Sequence, residues 1–260
     1  MLPRLEGFRD HEILMGAAAE KVVRLGTEAI EENGMFTLAL SGGSTPRPLY
    51  TMLATGKFAG SIDWSRVHLF WGDERCVPPD DSRSNYRMVR ESLLDGVSIP
   101  AANVHRIHGD EDPKVAAAGY EKELRTFLGS TGVDGPPCVG FDLVLLGMGE
   151  DGHTASLFPG LPAVTEHVRW VMAQSVEVVS MWRITLTPVV INAAKHVIFL
   201  VSGAEKADRL RDVLEGPVHP EMLPAQIIKP VHGQLLWLVD DAAAGCLKRG
   251  GEQPPDWVGE

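Results

Sequence analysis

Short, nearly all-apolar runs of five or six residues recur along this chain, each separated from the next by a stretch with helical spacing. FTLAL, VHLFW, FDLVLL and HVIFLV leave almost no polar face, so they read as strands buried on both sides. Such strands need helices over both faces of a sheet. The alternation therefore predicts a doubly wound α/β fold with a mainly parallel sheet and helical crossovers.

The first helix is expected over His11–Asn33, with Leu14, Ala18, Val22, Leu25 and Ala29 on one face and Gly34 as its stop. Strand Phe36–Leu40 follows, then residues 41–46 lead into a second helix. Strand Val67–Trp71 runs into a charged loop from Gly72; a helix capped by Ser84 and another opened by Asp112 and Pro113 come next. A Gly/Pro loop at 129–140 precedes a strand at 141–146 that only Asp142 interrupts. Strands at 168–173 and 183–187, a short helix opened by Thr187 and Pro188, strand His196–Val201, a helix at 203–214, a strand at 234–239 and a short final helix complete the expectation. This makes one catalytic α/β domain over residues 1–249, and GGEQPPDWVGE at 250–260 is expected to be a mobile tail.

Composition excludes several classes of function. In 260 residues, 24 Lys and Arg face 35 Asp and Glu, a net charge of −11 without any basic block, which argues against nucleic-acid binding. No apolar run approaches the roughly 18 residues of a membrane helix. The first ten residues lack the cationic start and apolar core of a signal peptide, so a cytoplasmic location is expected. Cys76, Cys138 and Cys246 fit neither a disulfide framework nor a C-x-x-C site and are expected to be buried thiols.

Three segments carry candidate chemistry. In LALSGGSTP, at 38–46, a buried strand turns through Gly42 and Gly43 into a helix that Thr45 can cap and Pro46 can open. Backbone N–H groups converging there, with the hydroxyls of Ser41, Ser44 and Thr45, suit a phosphate or carboxylate; no Gly-Lys-Ser/Thr follows, so this is not a Walker A loop. FWGDER, at 70–75, places Asp73 and Arg75 beyond the carboxyl end of a strand. Arg75 either clamps a phosphate or pairs locally with Asp73 or Glu74, while Asp73 is a candidate acid, base or orienter.

In LLGMGEDGHTASLFPG, at 145–160, Gly147, Gly149 and Gly152 satisfy G-x-G-x-x-G, yet Pro159 and Gly160 interrupt the helix that a dinucleotide loop must open. What remains is a glycine loop presenting Asp151 and His153. A neutral imidazole there can take a proton from water, and Asp151 can fix its tautomer. Arg183 and Lys206 are candidate partners for an anion, whereas His105 and His108 have metal-like spacing but no clear third ligand. No G-x-S-x-G is present, which disfavours a serine hydrolase.

SGGSTPRPLY, FWGDERCVPPDDSRSNY and LLGMGEDGHTASLFP, supported by RITLT and SGAEKA, resemble the 6-phosphogluconolactonase family, within the group that includes glucosamine-6-phosphate deaminases. The resemblance spans residues 11–248, and departs from the family at Arg83 and in the lack of prolines before Arg183. It implies hydrolysis of 6-phospho-D-glucono-1,5-lactone to 6-phosphogluconate, with no metal or organic cofactor; a monomer or small homo-oligomer is expected. It places the general base on His153 and the phosphate-binding cations on Arg75, Arg183 and Lys206. Deaminases of the group follow their histidine with an Asn-Glu pair, where this chain has Leu157 and Phe158. A non-catalytic sugar-phosphate sensor is the third reading; no appended DNA-binding segment is visible in the sequence.

Overall fold

The computed structural model describes residues 4–132 and 135–248; the expected tail lies outside them. In chain order the elements are β1 (Arg4–Phe8), α1 (His11–Asn33), β2 (Phe36–Leu40), α2 (Arg47–Ala54), β3 (Val67–Trp71), β4 (Asp73–Arg75), α3 (Asn85–Ser92), β5 (Val104–His105), α4 (Pro113–Leu128) and β6 (Leu143–Gly147). They continue with β7 (Val171–Val176), β8 (Met181–Leu186), α5 (Pro188–Ile191), β9 (His196–Val201), α6 (Ala207–Glu215) and β10 (Gln234–Asp240).

Seven strands form one sheet in the order β1-β10-β9-β6-β2-β3-β5, and every pairing in it is parallel. All its carboxyl ends therefore share one edge. From β2 the chain steps to β3 and β5, whereas from β6 it steps the other way to β9 and β10. The loops after β2 and β6 diverge, opening the crevice where doubly wound sheets bind ligands. Asp142 explains its place before β6: its carboxylate accepts from the backbone N–H and hydroxyl of Thr37, at 2.9 and 2.8 Å, and meets Lys195 at 2.8 Å.

Local signals account for the helix ends. Asp10 accepts from the N–H of Ile13 at 3.0 Å, and Gly34 ends α1 at φ +79°. Ser84 and Asp112 cap α3 and α4 as expected. Thr45 does not cap α2: Pro46 occupies the cap position, and no side chain caps its first turn. Where a single helix was expected over 203–214, a 3₁₀ turn at Ala204–Lys206 precedes α6, and the final helix is one 3₁₀ turn at Ala243–Cys246. Cys138, in the segment between α4 and β6, and Cys246, at the end of the final 3₁₀ turn, are exposed and not in the core; Cys76 is half-buried.

The sequence reading misses β1, β5 and a second sheet. Asp73–Arg75, expected as loop, pairs antiparallel with β8, and β8 pairs with β7. Gly72 joins the two sheets, donating to Leu40 O at 2.9 Å and accepting from the N–H of Leu186 at 2.8 Å.

Candidate active site

Residues 147–158 after β6 fold into a tight loop that carries the candidate base. The N–H of Gly149 donates to His153 O at 2.8 Å, and that of Gly152 to Gly149 O at 3.1 Å. Gly149 has to be glycine, because a Cβ there would fall 2.1 Å from His153 Nδ1. The Nδ1 of His153 lies 2.5 Å from Asp151 Oδ1, which also accepts from the backbone N–H of His153 at 3.0 Å. Burial pushes the Asp151 carboxyl up, but its hydrogen bonds and the charge of His153 outweigh this and hold it below the ordinary carboxylate value. The imidazole stacks on Phe158 at 4.2 Å, its side chain 29% exposed, and Nε2 has no partner among the described residues.

Ser156 ties this loop to the second sheet. Its hydroxyl donates to Asp73 Oδ2 at 2.6 Å, while Asn85 Nδ2 donates to Asp73 Oδ1 at 3.1 Å, so both oxygens of this buried carboxylate are engaged. Ala155, at φ +47°, holds the turn in a conformation rare for a residue with a Cβ. Asn85 also touches the loop after β2, since a Cβ on Gly42 would lie 1.9 Å from Asn85 Oδ1. The Asn85 Oδ1 and Ser41 Oγ are both buried without a hydrogen-bond partner. Tyr50 occupies the backbone of Ser41 in both directions, donating to its carbonyl at 2.8 Å and accepting from its N–H at 3.1 Å. The N–H groups of Gly42 and Gly43 have no protein acceptor among the described residues.

Arg75 and Arg183 are cross-strand partners in the β4–β8 pair. Like charges in that position repel at close range, yet neither guanidinium has a carboxylate partner among the described residues. Arg75 Nη1 donates to the carbonyl of Arg83 at 2.5 Å, and the Nε of both arginines is buried and unpartnered. Burial, and next the charge of Arg75, lower the affinity of Arg183 for its proton. The local pairing of Arg75 with Glu74 does not form. Glu74 instead accepts from the N–H groups of Arg75, Asn85 and Tyr86 at 2.7, 2.7 and 2.8 Å, closing the start of α3. Arg83 spends its own charge on Asp81, at 2.9 and 2.8 Å.

Lys206 reaches the histidine loop at Glu150, 3.7 Å away. Asp240, not foreseen from the sequence, anchors the segment before it by accepting from the N–H groups of Gly203 and Ala243, at 3.1 and 2.8 Å, and from Ser202 Oγ. Ser44 is exposed, and among the described residues neither it nor Thr45 hydrogen-bonds another candidate residue. His105 bonds His68 and Glu123 instead of sharing a ligand with His108.

Residues 9–237 match the family model described as glucosamine-6-phosphate isomerases/6-phosphogluconolactonase. The chain belongs to this family. A 6-phosphogluconolactonase of Synechocystis sp. is 41% identical over 95% of this chain and the whole of that one. A solved structure of 6-phosphogluconolactonase from Trypanosoma cruzi superposes with a TM-score of 0.83, at 32% identity, over 94% of this chain and 97% of that one. A monomeric glucosamine-6-phosphate deaminase shares the fold alone, with a TM-score of 0.77 at 20% identity over 94% of this chain and 99% of that one. The matched residues include the loops after β2, β3, β6 and β9, while β1 and the end of β10 lie outside the match. Among the described residues, no helix is long and apolar enough to cross a membrane.

Proposed function

We propose that this chain hydrolyses 6-phospho-D-glucono-1,5-lactone to 6-phosphogluconate, and that the open Nε2 of His153, backed by Asp151 on Nδ1, carries the chemistry. Water adds to C1 as Nε2 takes its proton, and the carbonyl electron pair moves onto oxygen. The N–H groups of Gly42 and Gly43 receive that oxyanion, since the glycine N–H groups of the histidine loop already serve the loop itself. As the tetrahedral intermediate collapses, the C1–O bond to the ring oxygen breaks and the imidazolium returns its proton to that oxygen. The products are a carboxylic acid, which ionises, and a free hydroxyl.

The unpaired Arg75 and Arg183 hold the phosphate, their mutual repulsion answered by a dianion. Lys206 adds charge at the rim, and the local cations overcome the unfavourable net charge of −11. Asp73 acts by position: with one oxygen on Asn85 and the other on Ser156, it aligns the histidine loop with the loop after β2. The step requires no metal or organic cofactor. We further assign the enzyme to the cytoplasm, as one catalytic domain acting as a monomer or small homo-oligomer on a small-molecule substrate.

The test follows lactone formed in situ by glucose 6-phosphate oxidation, with and without chelator. Acceleration by the wild type, insensitive to chelator and lost in His153→Ala, is the expected outcome. Decay at the spontaneous rate, or release of ammonia from glucosamine 6-phosphate, would overturn the proposal.

A further inference from the structure

A cavity of about 800 Å³ opens at the amino edge of the large sheet, beside the first residues of β1, β9 and β10. Loops carrying His153 and Lys206 follow the opposite, carboxyl ends of β6 and β9. At about 3.3 Å per residue, the length of a six-residue strand such as β9 separates the two edges by roughly 20 Å. The volume is in the range of small-molecule sites, about 300–1,000 Å³.

Its charge is opposite to that of the molecule. On a chain of net charge −11, the cavity is lined by Arg4, Lys21, Arg24 and Lys229, with Glu6 as the one lining carboxylate. Glu6 is buried and already met by Lys21 at 2.8 Å and by Arg4 at 3.1 Å. Arg24 pairs only with the half-exposed Glu28, at 2.9 Å, outside the cavity lining. Lys229 has no carboxylate partner among the described residues, and His196 and His232 add ring nitrogens nearby. Behind these groups the wall is apolar, built of Leu25, Ile198 and Trp237. Trp237 lies face to face on Phe199 at 3.8 Å, and its indole N–H is buried without an acceptor.

We infer that this cavity is a second ligand site, distinct from the lactone site, for a phosphate monoester carrying an aromatic ring. The ring packs on the apolar wall and the phosphate bridges Arg24 and Lys229 at the mouth. Neither component suffices alone, because an exposed cation pair holds inorganic phosphate weakly and a neutral ring leaves the cations unanswered.

1-Naphthyl phosphate is the probe, titrated calorimetrically into the full chain. Because Arg75 and Arg183 also attract phosphate, the decisive titration uses the Arg75→Ala/Arg183→Ala variant. One equivalent is expected to bind there, at least tenfold more tightly than either inorganic phosphate or 1-naphthol. Adding Arg24→Glu and Lys229→Glu to that variant should weaken binding at least tenfold. The same two charge reversals in the wild-type background should leave lactonase kcat and the far-ultraviolet spectrum unchanged, which separates lost affinity from lost folding. The inference is overturned if binding disappears with Arg75 and Arg183, if it survives the charge reversals, or if inorganic phosphate binds as well as the naphthyl ester.

Discussion

Among the described residues, two histidines have a carboxylate within hydrogen-bond distance of Nδ1, and they differ in what happens at the other nitrogen. His153 meets Asp151 at 2.5 Å and His105 meets Glu123 at 2.6 Å. The Nε2 of His105 is 3.1 Å from His68, and its ring is stacked on Phe70 at 4.3 Å, with the side chain 10% exposed. Burial, then the charge of His105, hold His68 below the ordinary imidazole value, which favours the neutral form of His68. His153 has one ring face on Phe158, its side chain is 29% exposed, and its Nε2 has no partner among the described residues. The imidazole–carboxylate pair is thus common to a packing device and to the proposed base. The open second nitrogen separates them.

Exchanging each ring for a methyl group tests that separation most severely. His153→Ala should lower kcat by roughly 10²–10⁴ with little change in KM or thermal stability. His105→Ala should leave kcat near wild type and cost about 1–3 kcal/mol in unfolding free energy, through lost packing and lost hydrogen bonds. Kinetic assays beside urea unfolding of both variants decide it. Equal losses of activity would erase the distinction.

A subtler way to break it leaves the base in place and spoils its position. Gly149→Ala puts a Cβ 2.1 Å from His153 Nδ1 and 2.7 Å from Asp151 Oδ1, so the imidazole–carboxylate pair must shift. A loss of about 10–100-fold in kcat is expected, with binding of 6-phosphogluconate, measured by calorimetry, within about twofold of wild type. Full activity in this variant would mean that the Asp151 contact is dispensable.

The arginines repeat the contrast between spent and unspent groups. Arg83 and Arg87 are committed to Asp81 and Glu91, whereas Arg75 and Arg183 face each other with no carboxylate partner among the described residues. Replacing Arg75 or Arg183 by Ala should raise KM by the equivalent of about 1.5–3 kcal/mol per lost charged hydrogen bond. Without ligand, the same change should not destabilise the fold, because it relieves repulsion. Initial rates across lactone concentrations, with melting curves in the absence of phosphate, check both halves. An unchanged KM would remove that residue from the phosphate site.

What the sequence revealed follows from the range over which each signal acts. Helix α1 was legible from its apolar face and from Gly34, a local stop; Asp10, which caps its other end, is equally local but was not read. Inner strands of the parallel sheet such as β2 and β9 were legible because burial on both faces leaves them apolar, whereas the partly exposed edge strands β1 and β5 were not. β4 was not, for Asp-Glu-Arg has no apolar periodicity and is a strand only because β8 lies beside it. In the site, Asp151 and His153 are neighbours in one loop and could be read together. Ser156 and Asp73 meet across 83 positions, and Asn85 joins them only through the fold, so nothing local marks Ser156 or Asn85. The opposition of Arg75 and Arg183 depends on strand register, which one sequence does not display.

The smallest effect expected comes from a carboxylate that is committed wholly to structure. Burial pushes the Glu74 carboxyl above its ordinary value; the N–H groups of Asn85, Tyr86 and Arg75 pull it down without fully compensating, and Asp73 adds to the rise. With the folded-state value raised, the unfolded chain releases its proton first as pH increases. This group's contribution is therefore complete below the ordinary glutamate value near 4.3 and is lost as pH climbs through the folded-state value, by at most about 1.4 kcal/mol per pH unit for one proton. Glu74→Gln removes that titration while keeping one acceptor at the start of α3. Its unfolding free energy should be lower than wild type at pH 4.5 and should fall less steeply between pH 4.5 and 7. Asp151 has the opposite sign: held below the ordinary value, its contribution is present above that value and lost as pH falls. Parallel pH profiles for wild type and Glu74→Gln would show that Glu74 is ionised at no net cost, and the contrast between the two carboxylates would then rest on geometry alone.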